Sequence, residues 1–141
     1  MNINDPEIKK AFEKTKKTTF SAVIPTVCLS LIKEHPRHGY DIMKEGNSIY
    51  EKHLKEKLGF CEGKLFTPSN TYPVLKEMEE KGLLKAEWKE RKKYYYITKK
   101  GLKVLELRKK TIKQIMLVRF EILREIFDEK FVKEVIKEAS K

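Results

Sequence analysis

Cysteine is nearly absent from this chain of 141 residues: Cys28 and Cys61 are the only two. Two thiols so far apart build no disulfide framework, and reduced intracellular thiols are the default expectation. Acidic side chains are in deficit, 21 Asp and Glu against 32 Lys and Arg, which leaves a formal net charge of +11. Long apolar runs are missing too. The longest candidate, residues 20–32, is interrupted by Ser21, Pro25, Thr26 and Ser30. It falls short of the roughly 18–20 apolar residues that a membrane span needs. The opening Met1-Asn2-Ile3-Asn4-Asp5-Pro6-Glu7 has no charged n-region followed by an apolar h-region, so no signal peptide is expected. Membrane, secreted and collagen-like classes are excluded. What remains is a soluble, cytoplasmic, strongly basic chain, about one domain long, whose 40% hydrophobic content suffices for one core.

The motifs of catalysis are missing as well. There is no G-x-G-x-x-G, no Walker loop and no H-E-x-x-H. His35 and His38 are spaced H-x-x-H, but Pro36 and Gly39 put them in a turn. His53 and Cys61 are badly spaced for metal ligation, and a cysteine in the apolar stretch around Cys28 has an ordinary packing role. No enzymatic activity, no metal and no cofactor is expected.

What is present is localised charge. Between residues 76 and 110, thirteen Lys or Arg stand against six Glu. In residues 89–103, Lys89, Arg91, Lys92, Lys93, Lys99, Lys100 and Lys103 outnumber a single Glu90. Such a cluster attracts polyanions, although a lysine-rich solvated surface has the same composition.

The periodicity gives an order of elements. Residues 5–17 read as a short polar helix with Ile8, Ala11 and Phe12 on one stripe. Residues 20–34 are apolar nearly all round, the pattern of a buried central helix that Pro25 opens or kinks. The run from His35 to Gly39 ends it, with Gly39 permitting a tight turn. From Tyr40 helical spacing resumes, with a break expected at Gly46-Asn47 and a capping box at Ser48 and Glu51. Thr67-Pro68 opens a further helix, which buries Val74, Leu75 and Met78, carries Asn70, Thr71, Lys76 and Glu80 on its other face, and stops at Gly82.

The period then changes to two. Leu84, Ala86 and Trp88 alternate with Lys85, Glu87 and Lys89, a half-buried strand in which Trp88 is expected to pack beneath its hairpin. After a short connection at Glu90-Arg91-Lys92, Tyr94, Tyr95, Tyr96 and Ile97 form a return strand. Thr98 caps a helix of nearly 30 residues, roughly 45 Å long, and residues 129–139 keep helical register.

The expected fold is mainly α with a small β-hairpin: a winged helix-turn-helix domain followed by a long C-terminal helix. The domain covers residues 1–98, with its N-terminal helix at about 5–17, recognition helix at about 68–81 and wing at about 83–98. The helix starting at Pro68 would enter a major groove, leading with Ser69, Asn70 and Thr71, with Lys76 on the adjacent backbone. Lys89, Arg91, Lys92 and Lys93 would meet phosphates from the wing. Tyr72 reads equally as a stacking residue or as core.

The motifs carry a family resemblance. His38-Gly39-Tyr40-Asp41-Ile42, Thr67-Pro68-Ser69-Asn70-Thr71-Tyr72-Pro73-Val74-Leu75, and Leu83-Leu84 followed by residues 91–101 together resemble PadR-like transcriptional regulators, over about residues 29–107. The resemblance implies a homodimeric, usually repressing regulator of double-stranded DNA, with Tyr40 on a phosphate. In this family the dimer is built by the C-terminal helix, and some members release DNA on binding a small effector. Residues 99–141 are accordingly the expected dimerisation region. Its apolar positions Leu105, Ile112, Ile115, Met116, Phe120, Leu123 and Phe127 support a partner copy independently, the alternative being a helix folded back on its own domain. The rival function is a winged helix without sequence preference, architectural or RNA-binding, that uses only its basic face.

Overall fold

The spacing of Ile24, Cys28, Leu31 and Ile32 winds a helix with apolar groups nearly all round, and such a helix belongs at the centre of a core. The computed structural model describes residues 6, 7, 10, 23–59 and 63–141, and in it this helix, α1, spans Ile24–Glu34. Pro25 stands in its first turn, where its missing N–H costs nothing, so it opens the helix without kinking it. Cys28 is fully buried, and burial pushes its thiol up to about 12. At neutral pH it is an uncharged packing group. Of the expected N-terminal helix, Pro6, Glu7 and Lys10 are helical. The rest of that helix, the start of the central one before Val23, and Cys61 lie outside the described residues.

α2 spans Gly39–Leu58 as one helix, where the sequence predicts a break at Gly46-Asn47. Phe66 supplies the reason. The Asn47 amide clasps its backbone, Nδ2 donating to the Phe66 carbonyl at 2.9 Å and Oδ1 accepting from the Phe66 N–H at 2.7 Å. The Phe66 ring lies where a Cβ on Gly46 would stand. Both residues serve a tertiary contact, and Glu51 pairs with Lys55 along the helix instead of capping it.

α3 spans Pro68–Glu80 and starts as the sequence predicts. Thr67 accepts from the Asn70 N–H while Asn70 Oδ1 accepts from the Thr67 N–H, a capping box with Asn in the third position. It ends at Gly82, whose φ of 76° lets the Leu83 N–H reach the Met78 carbonyl at 2.8 Å.

The sheet holds more than the expected hairpin. β2 (Leu84–Lys89) and β3 (Lys92–Ile97) pair in register, and β1, only Arg37–His38, adds a third antiparallel strand in the order β1-β3-β2. Two residues are too few to show a period of two, so β1 is invisible in the sequence.

α4 (Lys99–Ile126) is capped by Thr98, whose hydroxyl oxygen accepts from the Gly101 N–H at 3.0 Å. Its first turns complete the core. Leu105, expected on the dimerisation face, is 1% exposed and packs with Leu29, Ile42, Phe66, Leu75 and Leu84. That corrects the expectation, since a side chain consumed by its own core offers nothing to a partner copy. Met1–Leu105 is one compact unit and Glu106–Lys141 a second. In the second, Ile115, Met116 and Leu123 are exposed along α4, as are Leu117, Val118, Ile122 and Ile126, and Phe127 is exposed just past its end. α5 (Glu129–Ala139), capped by Asp128, buries Val132 and exposes Phe131, Val135 and Ile136. Among the described residues no helix is long and apolar enough to cross a membrane.

Gly46→Ala tests the α2–Phe66 contact. Alanine gains about 1 kcal/mol of helix propensity, but it must displace a ring that is 2% exposed. Overpacking of this kind costs about 1–3 kcal/mol. Urea denaturation is expected to show net destabilisation, the reverse of what a solvent-facing helical glycine would give.

Candidate nucleic-acid interface

A guanidinium can be buried only if its donors are met by acceptors, carboxylates for preference. Arg37 is 5% exposed and meets that condition. Nε donates to the Leu31 carbonyl at 2.8 Å, and the two terminal nitrogens reach Glu34 Oε2 at 2.7 Å and Asp41 Oδ2 at 3.1 Å. The last turn of α1, the connector and the first turn of α2 are thus held by one side chain. The connector then runs as β1 along β3, with His38 opposite Tyr94 and its ring edge-on to that tyrosine at 5.4 Å. His38 Nδ1 also accepts from the Asp41 N–H, capping α2. The start of α2 is in this way fastened to the wing.

At the wing tip, Lys89 pairs with Lys92 and leaves a two-residue turn. Glu90 and Arg91 take φ of 51° and 69°, the sign pattern of a type I′ turn, which favours Asn-Gly. Holding non-glycine residues there costs roughly 1–2 kcal/mol each, and it projects Arg91 from the tip.

Between the first turn of α2, α3 and the wing lies a groove of about 450 Å³. Tyr40 and Tyr72 line it from the helices; Trp88, Arg91, Lys92 and Lys93 line it from the wing. No acidic residue contributes to its lining. Gly39 is needed here because a Cβ would overlap the Tyr72 ring, not because a turn demands its freedom.

The sequence-predicted residues divide. Tyr40, Tyr72, Lys76, Lys89, Arg91, Lys92 and Ser69 are exposed. Thr71 is not: it is fully buried, and its hydroxyl donates to Asn70 Oδ1 at 2.9 Å. Asn70 is engaged as well, its Nδ2 donating to the Leu65 carbonyl at 2.9 Å and its oxygen closing the capping box. These two expectations are corrected. Three consecutive helical residues point about 100° apart, so Ser69, Asn70 and Thr71 cannot all face one ligand.

Two wing cations have partners. Lys93 Nζ donates to Glu79 Oε1 at 2.9 Å, and that bond raises the lysine pKa. Lys89 Nζ donates to the Tyr96 hydroxyl at 2.7 Å, which raises its pKa likewise. Burial, first of all, raises the Tyr95 phenol, so it stays protonated.

Trp88 is the residue that the alternation misplaces. Leu84, Ala86 and Trp88 do share one face of β2, but exposure climbs from 2% at Leu84 to 71% at Trp88. The wing outruns the helices that cover its base. Arg37 was readable only as part of the i, i+3 and i, i+4 run Glu34, Arg37, Asp41, and nothing in that run announces burial.

The description "Transcriptional regulator PadR-like family" matches residues 28–107. No curated protein matches the chain. Among solved structures, a transcriptional regulator from Clostridium thermocellum is similar with a TM-score of 0.58 and 22% identity, covering 73% of this chain and 92% of the other. A PadR family transcription regulator from hypervirulent Clostridium difficile is similar with a TM-score of 0.54 and 25% identity, covering 72% and 98%. A Streptococcus mutans protein is similar with a TM-score of 0.52 and 25% identity, covering 77% and 94%.

Asn70→Ala separates capping from base reading. Loss of an N-terminal cap costs about 1–2 kcal/mol. Thermal unfolding should register that loss, while competition between duplexes should leave sequence preference unchanged.

Proposed function

The chain belongs to the transcriptional regulator PadR-like family, which matches it over residues 28–107, and from that premise we propose that it is a homodimeric, sequence-specific repressor of double-stranded DNA. The observation that carries this reading is the single groove on which the exposed tyrosines of two helices and the cations of the wing open, without an acidic residue among them. In this reading residues 1–98 bind DNA and the dimer forms within residues 99–141, by the part beyond Leu105, in the cytoplasm. α3 enters the major groove, with Ser69 at its leading end and Lys76 on the flanking backbone. Tyr40 and Tyr72 bracket a phosphate, and Arg91, Lys92 and Lys89 supply the wing electrostatics, with Lys93 muted by Glu79.

The dimer reading rests on the second unit. Ile112, Ile115, Met116, Phe120 and Leu123 lie on one stripe of α4 that Phe127 continues just past its end, and the exposed apolar surface of Ile115, Met116, Leu123 and Phe127 supports an interaction face. Ile122, Ile126 and Val118 widen the stripe on one side.

One observation favours the architectural alternative. With Asn70 and Thr71 turned to structural use, Ser69, Tyr72 and Lys76 are left as the outward hydrogen-bonding groups of α3 between residues 68 and 76. Few base-reading groups are compatible with weak sequence preference.

Titration of the protein into the DNA upstream of its own coding sequence, beside a scrambled duplex of equal length, decides between them. A specific regulator is expected to prefer the native fragment by on the order of a thousandfold at moderate salt. Equal affinity for both at every salt concentration would mean either that the operator lies elsewhere or that the architectural reading takes the lead. Arg91→Ala and Lys92→Ala should each weaken binding to all sequences and flatten the log–log salt slope by about one unit. Ile115→Glu combined with Phe120→Glu should give monomers in analytical ultracentrifugation; a dimer that survives both would remove the α4 stripe from the interface.

A further inference from the structure

We propose that Trp88 seats a deoxyribose of the DNA strand that runs through the groove between the helices and the wing, as a contact of apolar and not ionic character. The inference rests on the DNA-binding reading above and extends it to a residue outside the ionic contacts. Trp88 is 71% exposed, Tyr40 64% and Tyr72 46%, and all three line the same groove. Three large aromatic surfaces left in water at one place are unusual unless something covers them. The occupant has to be amphipathic, since Arg91 and Lys92 line the groove beside the rings. It has to be anionic where it meets those cations and apolar where it meets the indole.

A strand of duplex DNA has that alternation. Its phosphates carry the charge, its bases are stacked away inside the helix, and the sugars present C–H faces between the phosphates. Trp88 stands opposite Lys93 across the hairpin, on the same sheet face as Leu84 and Ala86. That face is turned toward the helices, so the indole lies under the wing and not at its outer surface. A strand held there would have its phosphates within reach of the wing tip and the two tyrosine hydroxyls, and its sugar against the ring. The contact removes apolar surface from water, so it strengthens binding without releasing counterions.

The test uses the full-length protein and the upstream duplex. Trp88 is the only tryptophan in the chain, so its emission reports this one position. Saturating duplex should shift the emission to the blue and shield it from acrylamide. Trp88→Ala should lower affinity by about tenfold, the range of one buried aromatic contact, with the salt slope of the wild type. Trp88→Phe should recover most of the loss. Because the ring is exposed, both variants are expected to keep the wild-type melting temperature, which checks their folding. Unchanged emission and acrylamide access in a protein that anisotropy shows to be bound would overturn the inference and leave the DNA-binding reading standing. A Trp88→Ala loss accompanied by a flattened slope would overturn it too. Stronger shielding by the single strand than by the duplex would assign Trp88 to base stacking instead. Absence of any duplex binding would defeat the underlying reading, and this inference with it.

Discussion

A buried guanidinium governs this structure. Arg37 satisfies its donors on the last turn of α1 and the first turn of α2, with a carbonyl and two carboxylates. Glu34 and Asp41 keep access to water, but removing either acid would leave the buried cation short of acceptors. Because those contacts set the connector, His38 falls into register with Tyr94 and the sheet gains its third strand. Tyr40 and the wing then face one groove from opposite sides. The shape of the groove therefore depends on an ion cluster that lies outside its lining.

The groove is built from two kinds of expenditure. The turn at Glu90 and Arg91 holds two non-glycine residues at positive φ, a strain that a glycine would relieve while removing a cation from the tip. The aromatic walls leave apolar surface in water. Charge is also redistributed within the wing: the Lys93 ammonium is paired with Glu79 and sits over the Tyr95 ring, and Lys89 is bonded to the Tyr96 hydroxyl, so the wing cations are not equivalent. The total of +11 is in this respect a poor guide to the charge that lines the groove.

Local chemistry was legible in advance at most of the features closed within a few residues. Thr67-Pro68 starts α3, Gly82 ends it, Thr98 caps α4 and the change to a period of two marks the hairpin, because caps, φ signs and side-chain periods are properties of neighbouring residues. The errors have the opposite character. Gly46-Asn47 looks like a helix break until Phe66 arrives from nineteen or more positions away to occupy the glycine and bond the amide. Asn70 and Thr71 look like base readers until Leu65 and the core claim them. Leu105 looks like a dimer contact until the core reaches it.

Composition, helical and strand periods and capping residues by themselves determined a basic winged helix with a long C-terminal helix, together with the family motifs that span it. Tertiary structure alone decided which side chains of that pattern remain available. A periodic pattern states that a side chain lies on a given face, but not how far the neighbouring layer extends over it. Trp88 occupies the core face of its strand and is exposed because the helices stop short of the wing tip; Thr71 occupies the polar start of its helix and is buried because α3 packs against its neighbours there. Availability depends on where one element ends against another, and that distance is set by packing across the fold.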